Sequence, residues 1–334
     1  SATVDFSPER RARTSGNLSG IARFPLQQSS VNDIVAVHLL SALGNSRLIV
    51  GGGSGPYGPD YDSFLTWDGP AALNANVVAL GTFESVRPED GLASSSYRAG
   101  IAWAPLVLAD AETESMDLKL EEVPVGTVSG SVRLPNQVTL SLFEEHYRFP
   151  FPNGLVGFPN ANVVGVHARP TPAAFAFDLP WVDKGGASLC LAVTGDGDGA
   201  LRTERCGVPQ GARDFILELQ GAPVLTTPAA GILLSPDTQF SWSPFENGIS
   251  ELEFSSAGSP SIVHIFIGKT RFAWTELGTF WPMSVNTTYN VKVTGIGPFA
   301  SIDEAVSSSG LGAPIRAETR RSASASIAIA TAPR

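Results

Sequence analysis

The sequence predicts an all-β chain built as three β-sandwiches in series, of the immunoglobulin-like or prealbumin-like kind. Three observations carry that prediction. Short apolar segments alternate with a period of two. Gly and Pro interrupt the chain at close intervals, with 34 and 25 copies in 334 residues. Two phrases also recur in the same order: Gly-Asn-Leu-Ser-Gly-Ile-Ala-Arg at 16–23 and Gly-Thr-Val-Ser-Gly-Ser-Val-Arg at 126–133, each followed by Asn-Ala-Asn-Val-Val, at 74–78 and 160–164. A repeated small module accounts for the order, and 334 residues exceed one ordinary core.

The first module, 1–124, opens on the strand around 16–23. The apolar run 31–43 suits either a helix face or a buried strand. Gly20 precedes its Asn74 by 54 positions, whereas Gly130 precedes Asn160 by 30. The first copy is therefore expected to carry an insertion, centred on the Gly-rich turn chemistry of 51–62. Residues 116–120 close the module as an alternating strand. The second module, 125–221, reads as six or seven strands: 125–134, 137–143, 163–167, 174–179, 188–193 and 215–219 are among them. The third, 222–334, shares neither phrase. Its strands are expected near 238–244, 262–267, 288–294 and 326–331. Pro124 and Pro223 stand at the two junctions, which predicts semi-rigid joints.

Composition narrows the function classes. The apolar fraction of 43% is ample for packed cores, and only 16% of residues are charged. A net charge of −10 repels phosphate backbones and anionic lipid, so neither nucleic acid nor a membrane surface is an expected partner. No apolar run has the length of a transmembrane helix. The N-terminus Ser1-Ala-Thr-Val-Asp-Phe6 does not read as a signal peptide, so either none existed or it was removed.

Cys190 and Cys206 enclose fifteen residues around a Gly-rich polar turn. Two free thiols remain the alternative, but the turn favours a disulfide across a hairpin. Such a loop contributes roughly 3 kcal/mol in the chain-entropy model and implies an oxidising compartment.

The opening phrase with its following Asn-Ala-Asn-Val strand resembles carboxypeptidase-regulatory-like, or transthyretin-like, β-sandwich modules, in two copies. The third part is similar to fibronectin type III domains, on Phe240-Ser-Trp242-Ser-Pro244 and on Thr288-Tyr289-x-Val291-x-Val293 with its corner tyrosine. In bacterial exported proteins both resemblances imply spacers, adhesive modules or accessories to enzymes, and neither implies catalysis.

Three clusters of candidate site residues stand out. Tyr57, Asp60, Tyr61, Asp62, Trp67 and Asp68 combine ring faces with carboxylates, the chemistry that stacks and hydrogen-bonds a sugar. Their alternative is a loop packing its own aromatics. Asp196 and Asp198, in Thr-Gly-Asp-Gly-Asp-Gly-Ala at 194–200, can converge on a calcium ion, with Glu204 as a further carboxylate. The alternative there is a solvated hairpin turn. Calcium is the one cofactor considered. The histidines His38, His146, His167 and His264 show no metal-ligand spacing, and no nucleophile elbow or phosphate loop is present. The expectation is a non-catalytic structural and adhesive protein, at the cell surface, extracellular or periplasmic. Its partners would be proteins or copies of itself, docked through sheet edges. The rival reading is a carbohydrate-binding accessory module.

Overall fold

The computed structural model describes residues 13–23, 34–41, 46–52, 60–68, 70–86, 96–151, 155–156, 164–165, 173–197, 199–229, 231–235, 237–256, 259–277 and 286–331. It is all-β, and its strands fall into three groups in chain order. The first holds β1 (Arg13–Arg23), β2 (Ile34–Ser41), β3 (Ser46–Gly52), β4 (Asp60–Asp68), β5 (Ala72–Val86), β6 (Ser96–Ala109), β7 (Thr113–Ser115), β8 (Leu118–Lys119) and β9 (Glu121–Val123). One sheet runs β4-β1 with β7 and β8 beyond, and the other runs β3-β2-β5-β6-β9. Leu18 and Leu65 from the first sheet meet Val37, Val77 and Leu106 from the second in one core.

The middle group holds β10 (Val125–Arg133), β11 (Thr139–Arg148), β12 (Leu155–Val156), β13 (Val164–Gly165), β14 (Ala173–Pro180), β15 (Ser188–Asp196), β16 (Ala200–Cys206) and β17 (Phe215–Glu218). Its core is aromatic: Phe143 lies 5.0 Å from Phe175 and 4.6 Å from Phe177, ring centre to ring centre. The repeat is visible in the pairing. β1 lies antiparallel to β4 and parallel to β7 and β8. β10 lies antiparallel to β14 and parallel to β17.

The shared phrase has a steric cause. A β-carbon on Gly20 would run into the carbonyl of Met116, and one on Gly130 into the carbonyl of Phe215. Both glycines sit where the parallel strand crowds the repeated one, and only a residue without a side chain admits that approach.

The second shared phrase has no common position. Asn74–Val78 lie on β5, between β2 and β6, with Val77 opposite Leu39. Of the later copy only Val164 is among the described residues. It starts β13, on the far side of β11 from β15, opposite Phe143. Val78 and Val164, which end the two copies, thus lie on strands with different partners, and residues 53–59 of the expected insertion lie outside the described residues. β2, β3 and β4 separate Gly20 from Asn74, while only β11 and β12 separate Gly130 from Asn160. Residues 51–52 close β3 and 60–62 open β4. An apolar pentamer specifies a buried strand, but its partner is chosen by the sheet.

The apolar run of the second strand is explained by burial on both sides. Val35, Val37 and Leu39 face the first core. Leu40, with Val78, Leu80, Ala99 and Ile101 from the same sheet, joins the core of the middle group. Trp103 and Phe149 pack at 5.4 Å across that joint, and Lys184 pairs with Glu121.

The last group holds β18 (Leu225–Thr227), β19 (Gln239–Trp242), β20 (Ile249–Ser256), β21 (Ser259–Ile267), β22 (Arg271–Ala273), a 3-10 turn (Trp274–Leu277), β23 (Thr288–Gly297), a five-residue helix α1 (Ile302–Val306), β24 (Glu318–Ala323) and β25 (Ile327–Ala330). The sheet β18-β19-β22 faces β23, β20 and β21 across Phe240, Trp242, Phe254, Phe272 and Tyr289. β24 pairs with β16 on one side and β23 on the other, which joins middle and last groups in one ten-stranded sheet. The strand expected near 326–331 is β25. β25 pairs with β23 from Thr288↔Ala330 to Val291↔Ile327, and Thr331 is buried.

Replacing Gly130 by Ala should destabilise the chain by about 1–3 kcal/mol through this overpacking. Gly221→Ala, where the space is open, should change the denaturant midpoint little. Equal midpoints for both variants would remove the steric account of the repeat.

Candidate functional site

The aromatic cluster is not a sugar platform as drawn from sequence. Tyr61 and Trp67 are 3% and 6% exposed, inside the first core. The Tyr61 hydroxyl donates to the carbonyl of Met116, and burial, with Asp117 adding, pushes its pKa up to about 12. Trp67 Nε1 donates to the Pro70 carbonyl at 2.9 Å. Their ring faces are covered because β4 alternates, turning Tyr61, Leu65 and Trp67 inward. Asp60 and Asp62 point outward, and Phe64 is 65% exposed. Asp68 ends β4, and Tyr57 lies outside the described residues.

The hairpin β15–β16 carries the expected disulfide between Cys190 and Cys206, which oppose one another in register. Asp196 is exposed at its tip, opposite Ala200; Asp198 lies outside the described residues. Glu204 does not join that turn. It sits far down β16, opposite Ala192 and buried, so it cannot complete a calcium shell with Asp196. It pairs with arginine instead.

That pairing belongs to a charged face running across the ten-stranded sheet. Glu204 Oε1 accepts from Arg148 Nε at 2.5 Å, and Oε2 from Arg148 Nη2 at 3.1 Å. Oε2 also accepts from Arg202 Nη2 at 3.4 Å, and Arg202 Nη1 reaches Glu144. His146 Nε2 stands 3.3 Å from Glu204 Oε2, off the alignment of a hydrogen bond. Beyond the junction, Arg321 donates to Glu251 Oε2 at 2.6 Å, and His264 Nδ1 meets Glu251 Oε1 at 2.7 Å.

Arg202 and Arg321 oppose each other directly across β16 and β24. Like charges so placed destabilise a sheet, and each is neutralised from its own side, by Glu144 with Glu204 and by Glu251. Sequence reasoning missed His146, Arg148, Arg202, Glu251 and Arg321 as a set, because cross-strand register alone brings them together. A cavity of about 290 Å³ adjoins the junction, floored by Val138, Leu201, Leu225 and Ile327. No charged side chain is among its described lining, so it offers neither acid nor base.

β4 and β21 are among the edge strands of the described sheets. β4 is guarded by Asp60 and Asp62. β21, nine residues of sequence Ser-Pro-Ser-Ile-Val-His-Ile-Phe-Ile, has no Lys, Arg, Asp or Glu, and its Phe266 is 39% exposed.

No family model matches the chain, and no curated protein does. Solved structures similar in part include the FN1–FN3 domains of chicken CNTN1, at 12% identity over 92% of this chain and 91% of that one, with a TM-score of 0.22. The tip fimbrial protein Mfa3 from Porphyromonas gingivalis matches at 8% identity over 77% and 100%, TM-score 0.18. The shaft pilin SpaA from Lactobacillus rhamnosus GG matches at 10% over 62% and 96%, TM-score 0.16. At such scores the chain paths do not coincide over their length, and no function is carried across.

Glu204 ionises at about 2 in the folded protein, against 4.5 ordinarily. Burial alone would raise it; His146 and Arg148 outweigh that. A depressed carboxyl stabilises the fold above its ordinary range, and the contribution is lost as pH falls from 4.5 towards 2. It amounts to about 3 kcal/mol at neutral pH. Glu204→Gln should therefore lower neutral stability and flatten the stability–pH slope in that window. Identical slopes for variant and parent would show that the pair is not coupled to folding.

Proposed function

We propose that the chain is an exported, non-catalytic structural and adhesive protein that associates through a sheet edge. The observation that carries this reading is β21, a long edge strand without Lys, Arg, Asp or Glu. Protein edges are ordinarily blunted by charge, proline or a bulge. β21 keeps only Pro260, at its start, and a register shift near Ser256↔Ser259. Its inner neighbours Val263, Ile265 and Ile267 anchor it to the last core, so the strand is held extended and ready to pair.

The occupant we assign to this edge is the same strand of a second copy, added antiparallel about a two-fold axis. Charge supports that choice. Two molecules of net charge −10 repel, and the repulsion is least where the meeting surfaces carry no charge. The chain also joins its own sheets by strand addition, with β24 laid along β16. The Cys190–Cys206 bond supports an oxidising compartment, in keeping with a cell-surface, extracellular or periplasmic site.

The resemblances to carboxypeptidase-regulatory-like and fibronectin type III modules fit such a role. The division into 1–124, 125–221 and 222–334 is proposed with it, supported by the strand groups that Pro124 and Gly221 separate. Glycan binding loses its two buried rings and is not favoured.

Sedimentation of the full chain over a wide concentration range tests the reading. Wild type should form dimers, and Phe266→Lys should be monomeric with an unchanged melting temperature. A wild-type protein that stays monomeric at high concentration, or a variant that dimerises equally, overturns it.

A further inference from the structure

The charged face contains an imidazole that stands beside Glu204 without a hydrogen bond to it. His146 is 4% exposed, and its Nε2 has no hydrogen-bond partner among the described residues. An imidazole nitrogen buried in that condition costs stability unless something occupies it. Its surroundings are a set of metal-ligating side chains. His146 lies opposite Cys190 on β15, and Cys190 opposite Cys206 on β16. Three donor residues therefore form one row across three adjacent strands. Glu204 precedes Cys206 by two positions, which puts it on the same face.

Ligand atoms of His146, Cys190 and Glu204 all lie within 4.8 Å of one another. Cys206 Sγ lies 3.6 Å from Glu204 Oε1. In the oxidised protein both sulfurs are spent on each other.

We infer that reduction of this disulfide creates a metal site for a divalent cation of the zinc class, with Cys190, Cys206, His146 and Glu204 as its four ligands. Two thiolates, one imidazole and one carboxylate form a four-coordinate donor set that such an ion accepts. The chemistry balances with a dithiol reductant. The sulfur–sulfur bond breaks, each sulfur gains one electron and one proton, and the dithiol closes to its own disulfide. Metal binding then releases the two thiol protons to solvent. His146 offers its Nε2 lone pair in the tautomer protonated at Nδ1.

The carboxylate is already ionised and oriented by Arg148, the kind of outer contact that positions a metal ligand. Arg148 and Arg202 also offset the negative charge that two thiolates and a carboxylate bring to one ion. The hairpin is thus fastened in either redox state, by a disulfide when oxidised and by a metal ion when reduced.

The test uses the full chain, reduced with a phosphine, freed of it without oxygen, and titrated with cobalt(II). One equivalent should bind, with thiolate-to-cobalt charge transfer and the intense visible bands of tetrahedral cobalt. Oxidised protein should show neither band. His146→Gln should weaken the reduced protein's cobalt affinity by at least about tenfold while keeping the charge-transfer band. Circular dichroism and alkylation run beside the titration. A reduced chain that loses its strand signal should regain it with zinc, and both thiols should then alkylate slowly. Equal binding by oxidised protein, absence of the charge-transfer band, or unaltered affinity in His146→Gln overturns the inference. So does a reduced chain that zinc neither refolds nor protects.

Discussion

Backbone hydrogen bonding along one strand, Glu318–Ala323, holds the last two strand groups together. β24 gives its two edges to two different cores, β16 on one side and β23 on the other. Edge pairing satisfies amide groups that would otherwise need water, so the junction does not rest on side chains alone. Gln220 locks the same place. Its carbonyl accepts from Ser322 Oγ at 2.7 Å, and its side-chain oxygen from Arg320 at 2.7 Å. The junction is a sheet, and the charged face above it follows from that sheet's register.

The first joint uses a different device. Among its described residues the five-stranded sheet buries apolar side chains on both faces, and one face, with Val78, Leu80 and Ile101, completes the core of the middle group. Neighbouring groups therefore share buried area, as obligate partners do, and the joint costs apolar exposure to open. At the junctions marked by Pro124 and Pro223 the strand groups meet through a shared core at one and a continuous sheet at the other.

Electrostatics then works around constraints set by the backbone. Strand pairing places Arg202 against Arg321, an arrangement no pairwise preference would select. Buried carboxylates repair it, Glu204 for one and Glu251 for the other. Desolvation makes these carboxylates costly unless paired, which is why both are engaged by more than one cation or imidazole. The disulfide lies in the same patch and ties Cys190 of β15 to Cys206 of β16, so the hairpin that receives β24 is covalently fastened.

Local chemistry was enough to read much of this from sequence. Period-two alternation specified strands such as Ala173–Pro180 and Thr288–Gly297, since each inward residue must meet a core. The recurring glycines Gly20 and Gly130 marked equivalent strands, because close approach by a parallel neighbour is a property of the strand itself. Cys190 and Cys206 announced their bond through the turn between them.

What failed depends on partners distant along the chain. Val78 and Val164 each end the shared phrase and have different neighbours, His38 and Trp103 for the one and Phe143 for the other. Tyr61 and Trp67 looked like ligand contacts and face the core. Glu204 looked like a turn ligand and belongs to His146 and Arg148. Composition and spacing determine which segments extend and which face of each is apolar. Only the assembled sheet decides which strands lie side by side, because pairing register is a relation between distant segments that neither one encodes alone.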